Sequence, residues 1–465
     1  LKIGVAAPPA GVRSRGVVGI ADYLVSEGFV AIGWDGRPVA RLASSWDWLA
    51  DGSVRFRLRA GATFHDGSPL NADAVRTILT RHIEQNRESA VSFESVTGLE
   101  RGVDETLIVR LSRPEPFLLA DLADASLNHP GDASVGSGPY RLTHWDEKGQ
   151  VAKLEAFEGY YRGAPEIKSI ELLGYEQQRS AWAALLRGEI NAVHEINPGS
   201  VGFVQASSGV RTFPFVRPYF IELAFNLRHP VLRRPDVRRA LGQAVDRSTI
   251  IRVGLNGRGV PAEGPIWPFH WAYAPAPQRY TYDPEAALVR FDLAELPVRP
   301  SAGRDRMPAR FRFTCLTVPD ARYEKLATVL QRQLYEVGVD MAIEVLPLDA
   351  LVARLRGGTF DAYLLERSSG RSLNWTYLGF HSRYSFTGYR AADGALDRMR
   401  TAANDTETRS AVADFQHVLY EDPPAIFLAW PQVARAVSTA FVVPDEEGRD
   451  IIGSISQWRP AASRR

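Results

Sequence analysis

The sequence predicts an α/β protein of two lobes with a small additional α+β domain, and three observations carry that prediction. A strand–helix–strand–helix–strand order runs through residues 310–365. A shorter version of the same order occupies residues 167–196. Before both lies a stretch of strand, turn and amphipathic helix with a different pattern. A length of 465 residues suits roughly three domains and suffices for more than one core.

In the small domain, Val54, Phe56 and Leu58 alternate with Arg55, Arg57 and Arg59, which reads as a half-buried strand with a basic face. Phe64-His65-Asp66-Gly67-Ser68-Pro69 reads as a turn. Asn71 then caps a helix carrying Val75, Ile78, Leu79 and Ile83 on one face. Residues 107–111 form another strand, stopped by Pro114 and Pro116.

In the first lobe, residues 167–173 read as a strand, 177–187 as a helix ended by Gly188, and 190–196 as a strand. A long helix begins at Pro235 and carries Val237, Ala240, Leu241, Ala244 and Val245 at helical spacing. Residues 257–277 are rich in Gly, Pro and aromatics, among them Trp267, Phe269, Trp271 and Tyr273.

In the second lobe, residues 310–318 form a strand and Asp320 caps a helix with a stripe of Leu326, Val329, Leu330, Leu334 and Val337. Gly338 is its left-handed stop. Met341, Ile343 and Val345 mark a second strand, Asp349 caps a second helix ended by Gly357-Gly358, and 360–365 is a third strand. This order favours a parallel sheet with right-handed crossovers.

Composition narrows the function. The apolar fraction is 45% and the charged fraction 23%, ordinary for a globular protein, and no apolar run reaches the ~18 residues of a membrane span. A balance of 55 basic against 54 acidic side chains offers no field for a polyanion, so nucleic acid is not an expected partner. The single Cys315 excludes an intrachain disulfide and reads as a small buried hydrophobe in a strand. The chain opens Leu1-Lys2-Ile3-Gly4-Val5 without Met, as expected after removal of a leader peptide. Lysine occurs only at positions 2, 148, 153, 168 and 325, so an anion site here is expected to use the planar donors of Arg. No G-x-S-x-G elbow, Walker loop, H-E-x-x-H or EF-hand pattern occurs. No enzyme activity, cofactor or metal is therefore expected. His381, among Tyr377, Phe380, Arg383 and Tyr384, is the one weak metal candidate.

An ordered set of segments is more specific. Leu42-Ala43-Ser44-Ser45-Trp46 is followed by Asp51-Gly52, Phe56-Arg57-Leu58-Arg59, Phe64-His65-Asp66-Gly67 and Asn71-Ala72-Asp73-Ala74-Val75. Later come Val135-Gly136-Ser137-Gly138-Pro139-Tyr140, the segment from Tyr219 ending Ala224-Phe225-Asn226, Val237-Arg238-Arg239-Ala240-Leu241 through Asp246-Arg247, and Asp422-Pro423-Pro424. Together they resemble the family 5 extracellular solute-binding proteins of ABC importers, the group that binds oligopeptides, dipeptides and nickel complexes. Each segment also has a plain structural role: Gly136 and Gly138 in a tight connection, Asp66-Gly67 in a turn, Val237 in a core stripe.

The resemblance implies the periplasmic-binding-protein-like bilobal fold, two α/β lobes joined by a hinge. Lobe I would be discontinuous, over residues 1–33, 138–232 and 431–465, the extra domain would span 34–137, and lobe II would span 233–430. It implies a monomeric receptor, in the periplasm or at the outer face of the cytoplasmic membrane, that closes on a small ligand and delivers it to the permease subunits. The expected ligand surface comprises Tyr219 and Phe220 on one strand, Trp267 and Trp271, and Arg367, Arg371, Trp375 and Tyr377 in the segment 365–378, with Arg13 and Arg15 from an N-terminal loop. In peptide-binding relatives this segment carries an acid for the ligand's amino group, which here falls near Leu373 or Ser372 and is missing. Glu366 could stand in, but alternation places it on the opposite strand face from Arg367. Arg side chains suit oxyanions and aromatic faces suit apolar or sugar rings, so the ligand is expected to be peptide-like, anionic or sugar-like. The other readings are a nickel or metal-chelate receptor using His381, the ligand-sensing domain of a regulator, and a hydrolase acting on an oligosaccharide.

Overall fold

The structure is a computed structural model that describes residues 1–6, 16–148, 150–274, 279–300, 308–444, 446 and 448–462. The chain divides into two compact units, Leu1–Phe215 with Val433–Arg465, and Val216–Gln432. Both are α/β, as the sequence predicts. No helix among the described residues is long and apolar enough to cross a membrane.

In the first unit, strand Lys2–Ala6 pairs in parallel with Ser169–Tyr175 and with Ala192–Ile196. Helix Gln178–Leu186 supplies the crossover between those two neighbours. The antiparallel strands Tyr140–Asp146 and Val151–Ala156 extend one edge. Residues 43–111 hold a separate four-stranded antiparallel sheet in the order Ala43–Trp48, Val54–Leu58, Thr106–Leu111, Val96–Arg101. It has its own core, including Phe29, Phe56, Phe64, Leu79, Phe93 and Leu122, and we propose that 34–137 is stabilised largely by itself. The alternation in Val54–Leu58 is as expected, with Val54, Phe56 and Leu58 buried and Arg55 and Arg57 exposed. Asn71 caps helix Ala72–Asn86 by accepting a hydrogen bond from the Ala74 amide at 3.0 Å. Gly136 packs so closely on helix Val17–Val25 that a Cβ there would lie 2.1 Å from the Val25 carbonyl oxygen.

In the second unit, strands Phe311–Thr317 and Val339–Val345 pair in parallel through seven residues, with helix Ala321–Glu336 between them in sequence. Asp320 caps that helix by accepting from the Arg322 amide, and Gly338 follows it at φ 80°. Strand Ala362–Ser368 joins in parallel on the other side of Phe311–Thr317. Cys315 is fully buried there, and burial pushes its thiol up to about 12.

Three expectations are corrected. Helix Leu348–Arg356 starts two residues earlier than expected, so Pro347 holds the cap position and Asp349 only places a negative charge in the first turn. The helix from Pro235 ends at Gln243, and a short helix Arg247–Thr249 capped by Asp246 replaces its continuation. Residues 216–232, expected in lobe I, belong to the second unit, because strand Tyr219–Phe225 pairs along its whole length with Ala362–Ser368.

Candidate ligand-binding site

Strands Tyr219–Phe225 and Ala362–Ser368 run antiparallel with Phe220 opposite Arg367, Ile221 opposite Glu366 and Glu222 opposite Leu365. Directly opposed residues share a face, and successive residues alternate. Phe220, Glu222, Tyr363 and Arg367 therefore lie on one face, and Ile221 and Glu366 on the other.

Each face carries a buried ion pair. On the first, Arg367 Nη1 donates to Glu222 Oε1 at 3.0 Å, and the Tyr363 hydroxyl donates to the same oxygen at 3.2 Å. The Glu222 side chain is 1% exposed and that of Arg367 29%. Burial alone would lower the Arg367 pKa, but Glu222 outweighs it and holds the guanidinium above its ordinary value. Glu222 Oε2 is buried without a hydrogen-bond partner among the described residues. The guanidinium lies over the Phe380 ring at 4.9 Å. Gly379 makes room for it, since a Cβ there would fall 2.4 Å from Arg367 Nη2. On the second face, Glu366 accepts from Arg217 and Arg322, and from the Tyr323 hydroxyl at 3.4 Å. Burial would lower Arg322 as well, and Glu366 holds it above its usual value. Glu366 is thus already neutralised twice and does not stand in for the missing acid.

After strand Ala362–Ser368 the chain turns through Gly370 and Arg371, both at φ 58°. For arginine this left-handed backbone is uncommon. The Ser368 and Ser369 hydroxyls accept from the Gly370 and Arg371 amides and hold the turn. Trp375, on helix Leu373–Phe380, packs against Gly370 and is 42% exposed.

The other expected residues sort by burial. Tyr219 is half-buried, with the Arg217 guanidinium 5.5 Å from its ring centroid. Trp271 is half-buried beneath Arg409 at 5.6 Å. Phe220 and Trp267 are each 1% exposed. They are packed in an aromatic cluster in which both meet Trp430 at 5.4 Å and Phe220 also meets Phe380 and Phe427. They present almost no surface in this structure. Tyr377 is also buried: its ring stacks on His381 at 4.7 Å and its hydroxyl donates to Asp397 at 3.0 Å. Burial pushes its hydroxyl up to about 12. His381 accepts from the Arg383 amide at Nδ1, which leaves the proton on Nε2, 3.4 Å from Asp397. Both ring nitrogens thus have a partner among the described residues. Among the described residues no group of three or more His, Cys, Asp or Glu is placed to hold a metal. Arg13 and Arg15 lie outside the described residues.

Sequence reasoning missed Glu222, Arg217, Arg322 and Gly379. A signal for the first was present: an acid between Ile221 and Leu223 in an apolar strand must be buried and so must find a cation.

What this fold and these side chains define is a solute-binding protein. The family model of bacterial extracellular solute-binding proteins, family 5 Middle, matches residues 37–385, and the chain belongs to that family, the receptor class of ABC importers. Among similar proteins, the dipeptide-binding protein of Escherichia coli (strain K12) is 25% identical over 442 residues, covering 85% of this chain and 81% of the relative. The glutathione-binding protein GsiB of Pectobacterium atrosepticum is 26% identical over 440 residues, covering 87% and 83%. Among solved structures, NikZ from Campylobacter jejuni in complex with Ni(L-His) superposes with a TM-score of 0.80 at 22% identity, over 99% of both chains. That likeness concerns the fold.

Proposed function

We propose that this chain is the extracytoplasmic receptor of an ABC importer for a small ligand bearing an oxyanion and an apolar or ring portion, of peptide-like, anionic or sugar-like chemistry. The supporting observation is the partly exposed guanidinium of Arg367. Glu222 fixes it through Nη1 with Tyr363 beside the pair, and the Arg367 side chain remains 29% exposed. A held, partly exposed guanidinium is a prepared donor for a carboxylate. Arg371 stands on the adjoining turn and the exposed ring of Trp375 on the helix that follows it, and Tyr219 and Trp271 offer half-buried rings for the remainder of the ligand. The names of relatives that bind dipeptides and glutathione are compatible with a ligand that carries a carboxylate. The loaded receptor acts as a monomer, in the periplasm or at the outer face of the cytoplasmic membrane, and passes its cargo to the permease subunits.

The test is native mass spectrometry of the purified protein, with release and identification of any bound small molecule. The reading expects an anionic or zwitterionic compound whose retention falls in Arg367→Ala. A retained cation or metal chelate that is indifferent to Arg367 would overturn it.

A further inference from the structure

The unit Val216–Gln432 contains a cavity of about 350 Å³, lined by none of the residues expected to meet the transported ligand. Its walls are largely apolar, with Ile266, Leu419, Ile426 and Phe427 prominent. One cation serves it without a carboxylate of its own. Arg247 donates from Nε to the Phe427 carbonyl at 2.7 Å, and from Nη1 to the Gly242 and Tyr280 carbonyls at 3.4 and 3.5 Å. Its Nη2 has no hydrogen bond to the described residues.

The other charged side chains along the cavity are already engaged. Arg238 is bound by Asp422 and two carbonyls, and Asp246 accepts from Ser248 and Thr249 at its helix cap. Glu263 is paired with Arg279 at 2.9 Å. Burial lowers the Arg247 guanidinium to about 10, with Glu263 opposing the shift, so it remains charged at neutral pH. A half-buried cation whose hydrogen bonds all go to carbonyls, with Glu263 acting on it only at a distance, has no carboxylate in direct contact. The cavity size is within the range of small-molecule sites, which combine apolar walls with few polar groups.

We propose that this cavity is a second ligand site, for a small monocarboxylate with an apolar body whose carboxylate sits on Arg247 Nη2. A monoanion fits better than a phosphate dianion because Asp246 and Glu263 also border the space. The proposal is independent of the identity of the imported cargo.

Benzoate is the probe and inorganic phosphate the contrast, both titrated into the full chain by calorimetry and by ligand-observed NMR. Saturable benzoate binding is expected, weaker by about 10-fold or more in Arg247→Gln, the loss of one charge-assisted hydrogen bond. Gly264→Leu tests the cavity without touching Arg247. A Cβ at position 264 would meet only Leu419, at 3.6 Å, so the longer side chain enters the space and is expected to abolish binding. Arg367→Ala is expected to leave benzoate binding unchanged. The proposal fails if benzoate does not bind, if phosphate binds as well as benzoate, if folded Arg247→Gln or Gly264→Leu binds like the parent, or if Arg367→Ala removes the signal. The last outcome would place benzoate at the import site instead.

Discussion

At the scale of single residues, the decisive interactions are buried ion pairs that strand alternation sets face to face. Arg367, expected at the ligand surface, is paired with the buried Glu222. Removing it strands Glu222 in the interior, so Arg367→Ala is expected to lower unfolding stability by about 3 kcal/mol as well as to weaken ligand retention. Glu222→Gln should cost a similar amount, and the double variant less than the sum of the two, because they share one interaction. Urea denaturation of the four proteins measures this; strictly additive losses would mean that the pair is not coupled. Asp450 gives a pH-dependent case. Burial would raise its pKa, but the Arg435 guanidinium, bonded to both its oxygens, holds it below the usual carboxylate value. A depressed carboxylate stabilises the fold above its unfolded pKa of about 3.9, and that contribution disappears as the pH falls through the folded value. Asp450→Asn should therefore be less stable at neutral pH, with the difference shrinking below about pH 4. Acid titration of thermal stability is the measurement, and a constant difference down to strong acid would contradict it. For Cys315, the raised thiol pKa and full burial predict no alkylation of the native protein at pH 8 and rapid alkylation once it is unfolded in urea; native-state labelling would show that the strand is accessible.

At the scale of elements, the sequence was legible where a local side chain decides the geometry. Asn71 and Asp320 cap their helices because short acceptors reach the first free amides. Gly338 ends a helix because a left-handed residue is required there. Asp349 shows the limit of that reasoning. Its type and position fit a cap, yet the helix begins two residues earlier than that, after Pro347, where the strand-to-helix connection delivers the chain. The two sites predict a contrast. Asn71→Ala should cost about 1 kcal/mol, whereas Asp349→Ala should change stability by no more than ~0.5 kcal/mol, the scale of an exposed dipole interaction. Chemical denaturation compares them, and equal losses would contradict the assigned caps. Gly379 was not legible at all. Its role is to leave space for a guanidinium that arrives from a strand eleven to seventeen residues earlier in the chain.

At the scale of the whole molecule, ligand binding is expected to shift the receptor's population toward a closed form. Moving that population from about 1% to 99% takes roughly 5.5 kcal/mol of differential affinity. Small-angle scattering of the protein stripped of cargo, and again after adding back the compound identified by mass spectrometry, should show a decrease in radius of gyration; superimposable profiles would rule out closure. The sequence by itself determined the α/β class, the parallel sheet order of 310–365, the separate strand-and-helix stretch near the start and the family, because these depend on local periodicity, caps and short ordered segments. Only the tertiary structure decided which of the expected side chains are buried and which are paired. Phe220, Trp267 and Tyr377 proved to be packed, Arg367 proved to be held by Glu222, and the cavity around Arg247 drew its wall from segments 238–248, 261–266, 279–282 and 416–427. Burial and charge pairing depend on residues far apart in the chain, and no local pattern records which of them meet.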